Sequence, residues 1–146
     1  MTNVQREQCS QGVDVAQPRR GEFVAPGDWD REVPYDIRER TFQFAVRVLK
    51  AVRTLPDGSA TRVVAYQLTK SATSVGANVE EADGAESRRD FVHKMSIARK
   101  EARESRYWLR VVRAAILDTG EFSVLEQESD ELVRILSAII AGACSS

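Results

Sequence analysis

Five arginines in the second half of the chain, Arg99, Arg103, Arg106, Arg110 and Arg113, are separated by steps of four, three, four and three residues. On a helix that spacing keeps five guanidiniums on one flank, so the flank cannot neutralise itself through neighbours three or four residues apart. Guanidiniums at helical spacing can track a phosphate backbone, and Tyr107 among them could stack a base, so nucleic-acid recognition is one reading. Two others compete. Acids from Asp118 to Glu131 could compensate the arginines, within the chain or from the next subunit, and this is the favoured alternative. An acidic protein partner is the third.

A second group lies on another side of the same helix. Glu101 and Glu104 are like charges three residues apart, and Glu101 has no cation at helical spacing on its own helix. If the preceding helix folds back about a turn near Ala85, Lys70 comes level with Glu101. Lys70, Glu101 and Glu104 are therefore expected to form a structural polar lock between helices or subunits rather than an active-site dyad. His93 is the single histidine, beside Lys94 and Asp90, and reads as a surface or partly packed residue. With one histidine there is no pair of Glu-x-x-His motifs for a di-iron bundle site. The sequence calls for no catalytic group, cofactor or metal.

The element that must position these residues runs from Ser87 to Leu117. Phe91, Met95, Ala98, Ala102, Ser105, Leu109, Val112 and Ile116 repeat with a seven-residue period, the seam of a helix in a bundle. A further stripe, Ile97, Glu101, Glu104, Trp108, Val111 and Ala115, is too apolar for plain solvent and should be covered by another helix or subunit. The first helix is expected from Asp36, capped with Glu39, to about Thr54. It carries two apolar stripes: Phe42, Ala45, Leu49, Val52 and Phe44, Val48, Ala51, Leu55. A second helix, capped by Asp57 or Ser59, reaches about Ala82 on Val64, Leu68, Ser71 and Val75, and its small-residue middle permits close approach of a neighbour. A fourth starts at Ser123, boxed by Glu126, on Leu125, Leu132, Leu136 and Ile139. Four helices with short connections predict an all-α, antiparallel up-down-up-down four-helix bundle over residues 35–146.

At 146 residues one domain is expected, and 21 basic against 22 acidic residues exclude a generically basic nucleic-acid binder. The balance hides segregation. Arg88 to Arg113 holds nine basic and three acidic residues, whereas Asp118 to Arg134 holds six acids and one arginine. Residues 1–34, with three of the four prolines and no sustained period, read as a disordered or loosely docked arm that Phe23, Val24 and Trp29 could anchor. Cys9 and Cys144 lie far apart and outside any CxxC or histidine pattern, so neither a zinc site nor a disulfide framework is expected, and a reduced, cytoplasmic setting fits. No apolar run approaches a membrane span or a signal core.

SATSVGANVEEA (71–82), followed after a short turn by SRRDFVHKMSIARKEARESRYWLRVV (87–112), resembles the four-helix-bundle family of proteins encoded in intervening sequences of bacterial 23S rRNA genes. The resemblance spans about Tyr35 to Ala143. It is most specific between Gln67 and Leu109, in the small-residue helix, Asp90-Phe91, Lys100-Glu101-Ala102 and Tyr107-Trp108-Leu109. It implies a bundle assembling into a ring, typically of five subunits, without known enzymatic activity. A distant branch is similar to accessory proteins of diversity-generating retroelements, which associate with a reverse transcriptase and nucleic acid. The expected function is binding, to itself and to RNA, DNA or a nucleic-acid enzyme, with a structural scaffold that recruits an acidic protein as the alternative.

Overall fold

The computed structural model describes residues 35–145. Expectations for residues 1–34, including the anchors Phe23, Val24 and Trp29, lie outside them. Four helices follow one another: α1 (Tyr35–Val52), α2 (Ser59–Asp83), α3 (Arg88–Ala115) and α4 (Gly120–Ser145), with no strand among the described residues. Each packs on its neighbours in sequence, α1 also meets α4, and the diagonal pairs do not approach. Ion pairs fix the directions. Arg38 at the start of α1 meets Glu80 and Asp83 at the end of α2, Lys94 meets Glu81, and Arg40 and Arg47 of α1 meet Glu128 and Glu121 of α4 in reverse order. This is the expected up-down-up-down bundle.

The core follows the period-seven seams. Met95, Ala98, Ala102, Ser105, Leu109 and Val112 of α3 are buried as expected, while Phe91 and Ile116 close the seam half-buried. From the other helices come Phe44, Val48 and Ala51, then Leu68, Val75, Val79 and Ala82, then Phe122, Leu125, Leu132, Leu136 and Ile140. Each large side chain buried this way contributes about 1.5–3 kcal/mol of transfer free energy. The two stripes of α1 have different fates. Phe44, Val48 and Ala51 enter the core, whereas Phe42 remains 57% exposed and Leu49 is exposed beside it.

The small residues of α2 act as read from the sequence. A Cβ on Gly76 would stand 3.4 Å from the carbonyl oxygen of Thr41, at van der Waals contact, so α1 packs close against the small residues of α2 here. Three buried hydroxyls are satisfied locally. Thr41 donates to the Ile37 carbonyl and Ser71 to the Leu68 carbonyl, while Ser105 has the Glu101 carbonyl at 2.9 Å and Ser71 Oγ across the interface at 3.0 Å as alternative acceptors for its one proton.

Helix ends show where local signals compete. Ser87 caps α3 as expected, its Oγ accepting from the Asp90 N–H at 3.0 Å, but the Asp90 carboxylate accepts from the Glu86 N–H rather than closing a reciprocal box. The N-cap of α2 is Gly58, without a side-chain cap, because Asp57 Oδ1 takes the adjacent Gly58 N–H instead. Nor does Ser123 start α4. Thr119 does, its Oγ accepting from the Phe122 N–H at 3.4 Å, which draws Gly120 into the first turn and lets Phe122 reach the core.

Cys144, in the last turn of α4, is disulfide-bonded. The expectation of unlinked thiols fails for it. No helix among the described residues is long and apolar enough to cross a membrane.

Candidate nucleic-acid interface

The five arginines of α3 are two rows rather than one. Seven residues return a helix to nearly the same azimuth, so Arg99, Arg106 and Arg113 form one line, with Arg103 and Arg110 a second line rotated outward. The first line faces α4. Arg106 Nη1 pairs with Asp130 at 3.2 Å, and Arg113 reaches Asp118 through Nε at 2.9 Å and Glu126 through Nη1 at 2.5 Å. These carboxylates, Asp118 before Glu126, hold the Arg113 guanidinium above its usual range. Compensation by the acids of α4 is therefore correct for Arg106 and Arg113.

It is not correct for the other three. The side chains of Arg103 and Arg110 are exposed and make no hydrogen bond or ion pair among the described residues. Lys100, one turn before Arg103, is also exposed and without an ion pair. Arg99 is buried, and its Nη1 finds only Ser137 Oγ, at 3.5 Å. Asp130 is shared, since it also pairs with Arg134 at 2.7 Å, so cations outnumber acids along this surface. Tyr107 stands 56% exposed, its ring edge-on to Trp108 with centroids 4.9 Å apart and planes at 73°. An accessible aromatic face thus sits among Lys100, Arg103 and Arg110.

The opposite flank of α3 turns to α2, so the Trp108 stripe is covered in part within one chain, and Trp108 is half-buried against the core. Its Nε1 donates to Glu104 at 3.3 Å. Lys70 is exposed and forms no ion pair within 4.0 Å of Glu101 or Glu104. Burial, and then the neighbouring Glu104, push the Glu101 carboxyl up; Lys100 and Lys70 oppose this at longer range. Lys70 faces the acids as a distant charge, and no direct lock closes within one chain. The expected register is about one turn off: Ser105 meets Ser71 and Lys94 meets Glu81 across the two helices, which puts Glu101 level with Ser74 and Val75 rather than with Lys70.

His93 is exposed. Among the described residues no group of three or more histidine, cysteine, aspartate or glutamate side chains could hold a metal ion. The sequence reading missed the burial of Arg99 and its contact with Ser137. The available signal was the seven-residue spacing of Arg99, Arg106 and Arg113, which separates the covered row from the exposed one.

The family model for the 23S rRNA-intervening sequence protein matches residues 34–138. The chain belongs to this family. A crystal structure of a protein of unknown function from the S23 ribosomal protein family of Bacteroides thetaiotaomicron is similar, with a TM-score of 0.65 and 34% identity over 71% of this chain and 97% of that one. No curated protein matches the chain. Within the family's span lie both arginine rows, Tyr107 and the Lys70, Glu101 and Glu104 group.

Proposed function

We propose that this chain is a non-enzymatic bundle protein that acts by binding, self-associating through its outer apolar positions and presenting the outer row of α3 to a nucleic-acid backbone. The observation that carries the nucleic-acid reading is the pair Arg103 and Arg110, exposed and unpaired within the chain, flanking the exposed ring of Tyr107. Guanidiniums two turns apart can meet successive phosphates, while an accessible tyrosine offers a stacking platform indifferent to base identity. Such a surface favours single strands and little sequence preference. A nucleic-acid-associated protein with an acidic face would meet the same groups.

Self-association is supported by Phe42, Leu49, Val63 and Tyr66, which leave apolar surface on α1 and α2 that one bundle does not bury. A closed ring is the form expected from the family resemblance, with five subunits, and a ring multiplies weak contacts through avidity. The scaffold reading keeps the assembly and drops the nucleic acid.

Fluorescence anisotropy with a labelled single-stranded oligonucleotide, titrated at several salt concentrations alongside light scattering, tests both parts. Log affinity should fall with log salt at a slope of about −0.7 per phosphate contact. Undetectable binding at low salt rejects the nucleic-acid reading, and a monomer mass at micromolar concentration rejects self-association.

A further inference from the structure

Arg99 is only 6% exposed, yet its one hydrogen bond is the 3.5 Å contact from Nη1 to Ser137 Oγ. A guanidinium carries five N–H donors and does not give up its charge, so burying it with most donors unmatched is costly unless an anion arrives. None of the described residues supplies one. Asp130, which serves Arg106, lies about two turns before Ser137, and α4 has no acid from Leu132 to its end. The electrostatic surroundings agree: burial, and then the like charge of Arg103, lower the Arg99 pKa, with no carboxylate acting in the other direction.

Two further groups point the same way. Ser96 Oγ, three residues before Arg99, is buried without a hydrogen-bond partner. Arg103, four residues after, is exposed and unpaired. Spacings of three and four put Ser96, Arg99 and Arg103 on one strip of α3, and Ser137 meets it from α4. The seam thus collects two guanidiniums and two hydroxyls around a position that lacks an acid.

We infer that this seam is an oxyanion site that takes a phosphate group, with Arg99 and Ser137 at its base, Ser96 beside them and Arg103 at the rim. A phosphate monoanion or dianion balances two cations better than a carboxylate does, and its several acceptor oxygens match donors arriving from two helices. The occupant is free phosphate, a phosphomonoester or a backbone phosphodiester. The site shares Arg103 with the surface assigned to nucleic acid, but its base, Arg99, Ser137 and Ser96, lies outside that surface.

Titrating the full chain with sodium phosphate at ionic strength held constant by chloride, while following the arginine side-chain N–H signals by NMR, tests the site. The Arg99 signal should shift and saturate, and the melting temperature should rise with phosphate. Arg99→Met should weaken phosphate binding at least about tenfold. Ser96→Val, at a position that is not fully buried, gives a second test less dependent on core packing and should weaken it several-fold, whereas Arg62→Gln, in the exposed first turn of α2, should leave it unchanged. A non-saturating Arg99 shift, or equal phosphate affinity in a folded Arg99→Met, overturns the proposal. A short single-stranded oligonucleotide without terminal phosphates separates the sources. Displacement of phosphate from Arg99 identifies a backbone phosphodiester as an occupant; no displacement, with phosphate still saturating, confines the site to phosphate or a phosphomonoester.

Discussion

The two flanks of α3 handle charge in opposite ways. Facing α4, Arg106 and Arg113 are met by carboxylates at bonding distance, while Arg103 and Arg110, rotated outward from them, meet no partner among the described residues. Facing α2, Glu101 lies near Glu104, which bonds Trp108, and Lys70 acts on Glu101 only as a charge without an ion pair. A stripe that looks uniform in sequence is therefore divided by its alternating steps of four and three residues, which swing successive arginines about 40° one way and about 60° back. The paired row holds α3 to α4. The outer row has no structural duty in the single chain, and that is why it is assigned to a partner.

The largest expected effect comes from the seam that carries both flanks. Leu109 is fully buried between them, so Leu109→Ala should cost about 2–5 kcal/mol in a denaturant melt and weaken both flanks together. A loss below about 1 kcal/mol would mean that the seam is not the shared support. Separating the rows comes next. Arg106→Gln should lose up to about 1 kcal/mol with its pair to Asp130, whereas Arg103→Gln should be neutral or slightly stabilising because it removes repulsion from Arg99. Equal losses in thermal melts would erase the distinction between the rows.

The acidic flank supplies the smaller effects. The folded state raises the Glu101 pKa above its unfolded value, so its protonated form is favoured in the fold. Stability linked to this group is thus fully present below the unfolded pKa and is lost as pH rises through the folded one. Glu101→Gln should accordingly stabilise the protein by under about 1 kcal/mol at neutral pH, and the gain should vanish below the ordinary carboxylate range. A gain that persists in acid would place its cause outside titration. Smallest of all, Lys70→Met should change stability by less than about 0.5 kcal/mol, since no ion pair is broken. A loss of several kcal/mol would restore the direct lock.

Much of the fold was legible because burial and period coincide: Met95, Ala98, Ala102, Leu109 and Val112 are both the repeat and the core. Helix starts were less legible. Ser123 offered a cap as plausible as Thr119, and the need to bury Phe122 decided between them. The candidate interface was half legible. Residue types and spacing revealed the basic flank, but its division depends on which azimuth α4 covers, a tertiary fact. Arg99 was misread for the same reason, since a charged residue beside Ala98 gives no local sign of burial. The antiparallel pairing of α2 and α3 was legible, but counting back from the turn set Lys70 about one turn off, since Ser71 lies level with Ser105 and not with Glu101.

The central claim, that the outer row and not the covered row meets nucleic acid, is tested most directly by comparing two double variants in one anisotropy experiment across salt. Arg103→Gln with Arg110→Gln should weaken oligonucleotide binding and flatten the salt slope by about 0.7 for each lost contact, with the oligomer mass unchanged. Arg106→Gln with Arg113→Gln should lower thermal stability while leaving most of the slope intact. Unchanged affinity in the first variant, or a larger loss of slope in the second, would contradict the account.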